Sequence, residues 1–231
     1  MKNNTVFKII LPMFIAIAFV SCKRDAEKSE TIKVDYIKYQ VVYLEKMAGD
    51  IPTNMLPSEM HAYYDHHHVL TRIDGFFGQF SLVQVADLKK QTVVSMLNFF
   101  GNKIYYTGKK GEIPAGIYPL DNPDITFTKD TLTVSGLMSY RANVKVTDDN
   151  YDIYYTKEIN INNPNITTPY SSIEHVLSDF RVQLSYLKMR LIIKNHEKQR
   201  IDPAFFDIPE EYKQVSKETM ENIINNLFTK E

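Results

Sequence analysis

The chain has 231 residues, 44% of them hydrophobic and 24% charged, with a formal net charge of −1. That length suits one or two domains, and the composition excludes collagen-like, low-complexity and wholly disordered chains. The balance of 27 Lys+Arg against 28 Asp+Glu argues against a nucleic-acid partner, and a single cysteine excludes a disulfide scaffold or multi-cysteine zinc site.

The first segment reads as an export address. Met1–Lys8 carries Lys2 and Lys8 and no acid, and Ile9–Val20 is apolar. A helix of that length falls short of a hydrocarbon core of ~30 Å, so residues 1–21 are expected to be a signal peptide. Val20-Ser21-Cys22 resembles a bacterial lipobox, in which cleavage precedes a cysteine that becomes lipid-modified. Cys22 is the only cysteine, ends the apolar run and leads into a charged stretch, KRDAEKSE. Residues 22–31 are therefore expected to be a lipidated cysteine and its tether. Two or more acyl chains give stable anchoring, so the expected partner is a membrane, reached through lipid at Cys22. The expected location is the cell envelope, at the outer membrane.

The rest, residues 32–231, reads as one β-rich domain. Lys33–Glu45 (KVDYIKYQVVYLE) is β-branched and tyrosine-rich. Shorter strands are expected at Glu59–Asp65 and His68–Asp74. Phe76–Asp87 and Thr92–Phe100 flank a Leu88-Lys89-Lys90-Gln91 turn, and Gly101-Asn102 turns into Lys103–Thr107. Residues 108–123, with three Gly and three Pro, predict an irregular loop. Ile125–Val134 is extended. Met138, Tyr140, Ala142, Val144 and Val146 then alternate with polar residues, and Tyr151, Ile153 and Tyr155 resume after Asp148-Asp149-Asn150. That pattern predicts a hairpin buried on one side, as in antiparallel sheets. Asn160–Pro169 is a polar loop, since Pro164 and Pro169 exclude helix. Val182–Lys194 reads as one extended run. Ser216–Phe228 predicts a helix, with Ser216 as N-cap and an apolar stripe of Met220, Ile223, Ile224, Leu227 and Phe228. A helix this short needs a docking surface, which the apolar face of the sheet would supply.

Four segments in order carry a family resemblance. They are Tyr36–Tyr43; Val83–Asp87 with Leu88-Lys89-Lys90; Tyr151–Ile159 running into Asn160–Pro169; and Ala204–Lys217 (AFFDIPEEYKQVSK). Together with the lipobox, they resemble the LolA/LolB-like lipoprotein superfamily, and more narrowly the GLPGLI-type exported proteins of Gram-negative bacteria. Ser135-Gly136-Leu137-Met138 matches only part of that family's Gly-Tyr-x-Cys segment, and its hexapeptide is absent. The resemblance implies a mainly β (α+β) fold, an incomplete antiparallel β-barrel with helices across its concave face. In this chain that means about ten or eleven strands with a C-terminal helix over the face. It also implies an apolar ligand or lipoprotein moiety in the concavity. Candidate liners are Phe76, Phe77, Phe80, Phe99, Phe100, Tyr105, Phe205 and Phe206, which an ordinary core would equally use.

Catalytic and metal signals are thin. His61, Asp65, His66, His67 and His68 cluster in sequence, but on a strand His66 and His68 share a face that His67 leaves, so few ligands converge. Ser171, Ser172, His175 and Asp179 are the residue types of a hydrolase triad without its nucleophile elbow. Residues Ile173, Val176, Leu177 and Phe180 read as loop packing. No phosphate loop, HExxH or paired catalytic carboxylate occurs, so no enzyme activity, metal or cofactor is expected. The chain thus reads as a non-enzymatic, lipid-anchored envelope protein that binds a hydrophobic ligand. The alternative is an interaction or structural module whose barrel is fully plugged.

Overall fold

The structure is a computed structural model that describes residues 30–48 and 51–227. The expected signal peptide, Cys22, nearly all of the tether and Phe228 lie outside the described residues.

Fourteen strands and one α-helix follow in chain order: β1 (Ile32–Tyr43), β2 (Met47–Ala48), β3 (Ile51–Pro52), β4 (Glu59–Tyr64), β5 (His68–Gly75), β6 (Phe80–Asp87), β7 (Thr92–Phe99), β8 (Asn102–Thr107), β9 (Asp124–Val134), β10 (Leu137–Lys145), β11 (Asn150–Thr156), β12 (Val176–Leu184), β13 (Leu187–Ile201), β14 (Lys213–Gln214) and α1 (Lys217–Asn226). Twelve strands form one sheet, ordered β14-β8-β7-β6-β5-β4-β1-β13-β12-β11-β10-β9, and β2 pairs with β3 separately. The sheet is open and mixed: every neighbour is antiparallel except β14, which lies parallel to β8. Its β9 half is strongly curled. Ser135, in the β9–β10 turn, donates its hydroxyl to the Ile193 carbonyl of β13 at 2.5 Å.

The fold departs from the sequence expectations at three turns. Val182–Lys194 is not one strand but parts of two, β12 and β13, which turn at Ser185-Tyr186 with Ser185 at φ 53°. No Gly, Pro or Asn marks that turn. Val176, Leu177 and Phe180, expected in loop packing, lie within β12. Phe76 and Phe77 do not begin a strand; they form a one-turn 3₁₀ element with Gly78. The β7–β8 turn is Phe100-Gly101, one residue earlier than expected, with φ of 48° and 82°. Positive φ at both central residues is type I′ geometry, matched to the twist of the strands it joins.

Alternation places apolar side chains on both faces. Ile37, Tyr39, Val41, Leu82, Leu97, Ala142, Val144, Ile153, Leu191 and Ile193 belong to a large cluster on the first face. Val34, Leu70, Val83, Val85 and Met96 form a smaller one on the second. In the β10–β11 hairpin Ala142 faces Ile153 and Val144 faces Tyr151, as the alternation predicts. Met138 is the exception, exposed while Ser139 is buried opposite Thr156.

An open sheet must cover its apolar faces. The first face receives Ala115 from residues 108–121, Ile159, Ile161, Tyr170 and Ile173 from residues 157–175, and Met220 and Ile224 from α1. The helix begins where Ser216 Oγ accepts the Thr219 amide at 3.1 Å, with Glu218 in the first turn where the dipole favours an acid. It rests beside β8, so it covers one margin of the face; the two loops cover the rest. Gly116, at φ +82°, admits the helix: a Cβ there would stand 2.9 Å from Ile224 Cδ1. The second face is crossed by residues 202–212, which bury Phe206 and pack Phe205, Ile208 and Tyr212 on it. All strands, α1 and both clusters come from residues 32–227, so a chain beginning at Lys23 carries the whole fold.

Ile224→Asp places a charge in this buried contact. It should lower unfolding free energy by ~2 kcal/mol or more in urea denaturation of a chain from Lys23. An unchanged midpoint would mean that α1 does not dock.

Candidate functional site

Two places bear on the sequence expectations, a small cavity under the loops of the first face and an aromatic end of the sheet; larger open clefts lie beside Tyr118 and Arg181 (about 270 Å³) and between Met96 and Phe205 (about 430 Å³).

The cavity lies between β1, β4–β6, β12 and β13 on one side and Pro114, Ile117, Pro164 and Pro169 on the other. Its volume is about 100 Å³. The lids are fixed by backbone. Ser185 donates its amide to Gly116 at 2.7 Å, Tyr118 donates to Gln183 at 2.9 Å, and the Ala115 amide donates to Ser95 Oγ at 3.1 Å. In the other lid Asn165 donates through Nδ2 to the carbonyls of Ile173 and His175, both at 2.7 Å.

Two tyrosine pairs brace this face. Tyr39 donates to the Leu177 carbonyl at 2.9 Å, so the Tyr64 hydroxyl 3.1 Å away must donate to Tyr39. Tyr170 donates to the Arg181 carbonyl, and Tyr151 in turn donates to Tyr170. Burial pushes Tyr64 up to about 12 and Tyr39 and Tyr170 upward as well, so all three stay neutral donors at any physiological pH. Gln84 also lines the cavity, and its buried Nε2 has no hydrogen-bond partner among the described residues. Sequence reasoning did not single it out. The signal was there: Gln84 shares a face with Leu82 and Ala86, where an amide interrupts an apolar row.

The candidate liners do not converge on this cavity. Tyr105, Phe205 and Phe206 belong to the second face; Tyr105 follows Ile104, and strand parity sends the two to opposite sides. Phe76, Phe80, Phe99 and Phe100 instead meet at one end of the sheet. With Ile51 and Leu227 they line an apolar groove of about 230 Å³. Phe77 projects fully into solvent and Phe100 is 66% exposed. The turns that carry them are tied together by the Phe100 amide donating to the Gln79 carbonyl at 2.8 Å. Phe76, Phe77 and Phe100 sit at φ of 49°, 54° and 48°, a left-handed region that bulky side chains rarely occupy.

The polar clusters read from the sequence have local employment. His61 Nδ1 lies 2.7 Å from the Tyr36 hydroxyl. Asp65 Oδ1 accepts the amides of His67 at 2.6 Å and His68 at 2.5 Å, and the His68 ring stacks on Phe206. His66 is exposed. Among the described residues no three of His, Cys, Asp and Glu gather as a metal set. Ser171 and Ser172 lie in an exposed turn, whereas Asp179 grips Arg190 through both oxygens, at 2.7 and 2.5 Å. His175 stacks on Tyr155 with centroids 5.7 Å apart, and burial, then Lys157, lowers its pKa.

Two outcomes follow. The His175 contribution to stability should be full above the ordinary histidine pKa near ~6.5 and lost as pH falls through the lowered folded value. Urea midpoints between pH 8 and pH 5 should therefore fall less for His175→Phe, which keeps the stack, than for the parent; equal falls would refute this. Phe100→Asn supplies the residue that type I′ turns prefer, and should raise unfolding free energy by about 1 kcal/mol. A lower melting temperature would show that the ring stabilises more than its backbone costs.

No protein-family model matches the chain, and no curated protein matches it. Solved structures do. The structure of PNGF-II in the C2 space group aligns with a TM-score of 0.54 at 12% identity, covering 84% of this chain and 33% of that one. The structure of PNGF-II in the P21 space group aligns at 0.51 and 14%, with the same coverage. The chain thus spans about a third of the length of PNGF-II, and the likeness is one of fold alone.

Proposed function

We propose that this chain is a non-catalytic, lipid-anchored protein of the cell envelope, held at the membrane through acyl chains on Cys22. Within that setting it serves as an interaction module whose half-barrel is filled by its own loops. The observation that carries this reading is the size of the space left beneath the two lids of the first face. Ligand pockets generally enclose roughly 300–1,000 Å³. The space here is about 100 Å³; residues 108–121 are pinned over it by backbone hydrogen bonds to Gln183 and Ser185, and residues 157–175 by the Tyr170 hydroxyl on the Arg181 carbonyl. A whole acyl chain would have to displace them. The curl that brings Ser135 onto Ile193 suits the half-barrel of LolA/LolB-like proteins, and the order of the four sequence segments supports the same kinship.

A second reading, a carrier of a hydrophobic ligand, is favoured by one observation. The cavity is lined almost wholly by apolar side chains, with Gln84 Nε2 as a spare donor. Native mass spectrometry of a chain from Lys23, purified from a lipid-containing lysate, separates the two. The expected spectrum is the bare protein mass; a stoichiometric lipid-sized adduct would overturn the plugged module in favour of the carrier. Cys22→Ala in the full chain should move the protein from the membrane fraction to the soluble fraction, and retention would sink the anchor.

A further inference from the structure

Four segments at one end of the sheet are free of charge, although the same end also carries Glu45, Lys46, Lys145, Asp148 and Asp149. Residues 51–58, 75–86, 91–102 and 182–187 contain no Asp, Glu, Lys or Arg, although these make up 24% of the chain. Those segments supply the turn after β3, the β5–β6 and β7–β8 turns and the β12–β13 turn, all at the end where β1 finishes. The opposite end carries Asp65–His68, the Asp87–Lys90 turn and the run KNHEKQR at the close of β13. These uncharged segments also project apolar side chains. Besides Phe77 and Phe100, they expose Met55 (69%) and Tyr186 (55%).

We propose that the aromatic corner built from the uncharged β5–β6 and β7–β8 turns docks on a lipid surface, with Phe77 and Phe100 entering the headgroup–acyl boundary. Four features favour lipid over a rigid protein partner. Phe77 stands clear of the surface and Phe100 borders an apolar groove on the adjoining turn, an arrangement a fluid layer can close around. No charged group in those turns has to be dehydrated as they enter. Tyr186 beside them is the residue type that favours the interface. Phe77 and Phe100 keep their exposed rings on left-handed backbone at a conformational cost that asparagine or glycine would not incur. The nearest corner of the sheet carries Asp121, Asp148 and Asp149 beside Arg181 and Lys188, which disfavours anionic lipid. The surface recognised is therefore zwitterionic. The contact is separate from the proposed anchor: β1 alone spans about 40 Å, and the chain enters at the other end of it.

The sequence has no tryptophan, so Phe77→Trp creates a sole reporter. The experiment uses a chain from Lys23, which lacks Cys22, and phosphatidylcholine vesicles. Emission should shift to the blue on adding vesicles and be quenched by bromine-labelled acyl chains. Binding should persist in about 1 M NaCl, where the Debye length is about 3 Å. In flotation, Phe77→Asn with Phe100→Asn should weaken association at least about tenfold while leaving the melting temperature unchanged or higher, because asparagine tolerates both backbone conformations. Unshifted emission, binding that salt abolishes, or a double variant that floats like the parent would each overturn the proposal. So would a dimer in solution that the double variant dissociates while vesicles leave the Trp emission unmoved; the aromatic end would then be a contact between copies. Because no acyl anchor is present, failure here leaves the Cys22 reading untouched.

Discussion

A single open sheet with apolar side chains on both faces cannot persist in water unless each face is covered, and here the chain's own connections lie over both. The constraint explains most of the architecture. Residues 108–121 and 157–175 are rich in proline and turn residues, unsuited to strands, and they lie over Tyr39, Leu82 and Leu191. Residues 108–121 are held there by backbone hydrogen bonds to Gln183 and Ser185, and residues 157–175 by the Tyr170 hydroxyl on the Arg181 carbonyl. Residues 202–212 do the same for Leu70, Val83 and Met96 on the second face.

The edges obey a related rule, since an exposed strand edge invites pairing with other chains. The β8 edge is capped by the two residues of β14 and by the Val215 amide donating to Tyr105. The β9 edge is blunted differently. A bulge interrupts its pairing with β10 between Tyr140 and Ala142, and Lys129 and Asp130 sit within the interrupted stretch.

Strand content was legible because period-two alternation is local. Residues 138–155 read correctly as a hairpin since each buried position there, from Ala142 to Ile153, faces the same cluster. Where the reading failed, the reason was long-range or conformational. Ser185 and Phe100 turn the chain in a left-handed conformation without the asparagine that advertises such turns. Tyr105, Phe205 and Phe206 were grouped with the other aromatics by composition, yet which face a ring occupies depends on parity and on a crossing that no local pattern encodes. The small cavity was beyond reach for the same reason: its walls come from segments more than a hundred residues apart, from Tyr39 to Leu191. The histidine cluster was visible but ambiguous, and its resolution lay in Asp65, which caps two backbone amides rather than joining a ligand set.

The last stretch of the chain runs over the second face, along the β8 edge and onto the first face within residues 202–227. During synthesis, therefore, the second face and the β8 margin of the first stay uncovered until this segment has emerged. Residues 108–121 and 157–175 can by then already lie over the rest of the first face, so the nascent sheet has two bare patches to keep from aggregating rather than two bare layers. One late segment thus seals patches on both sides of the sheet.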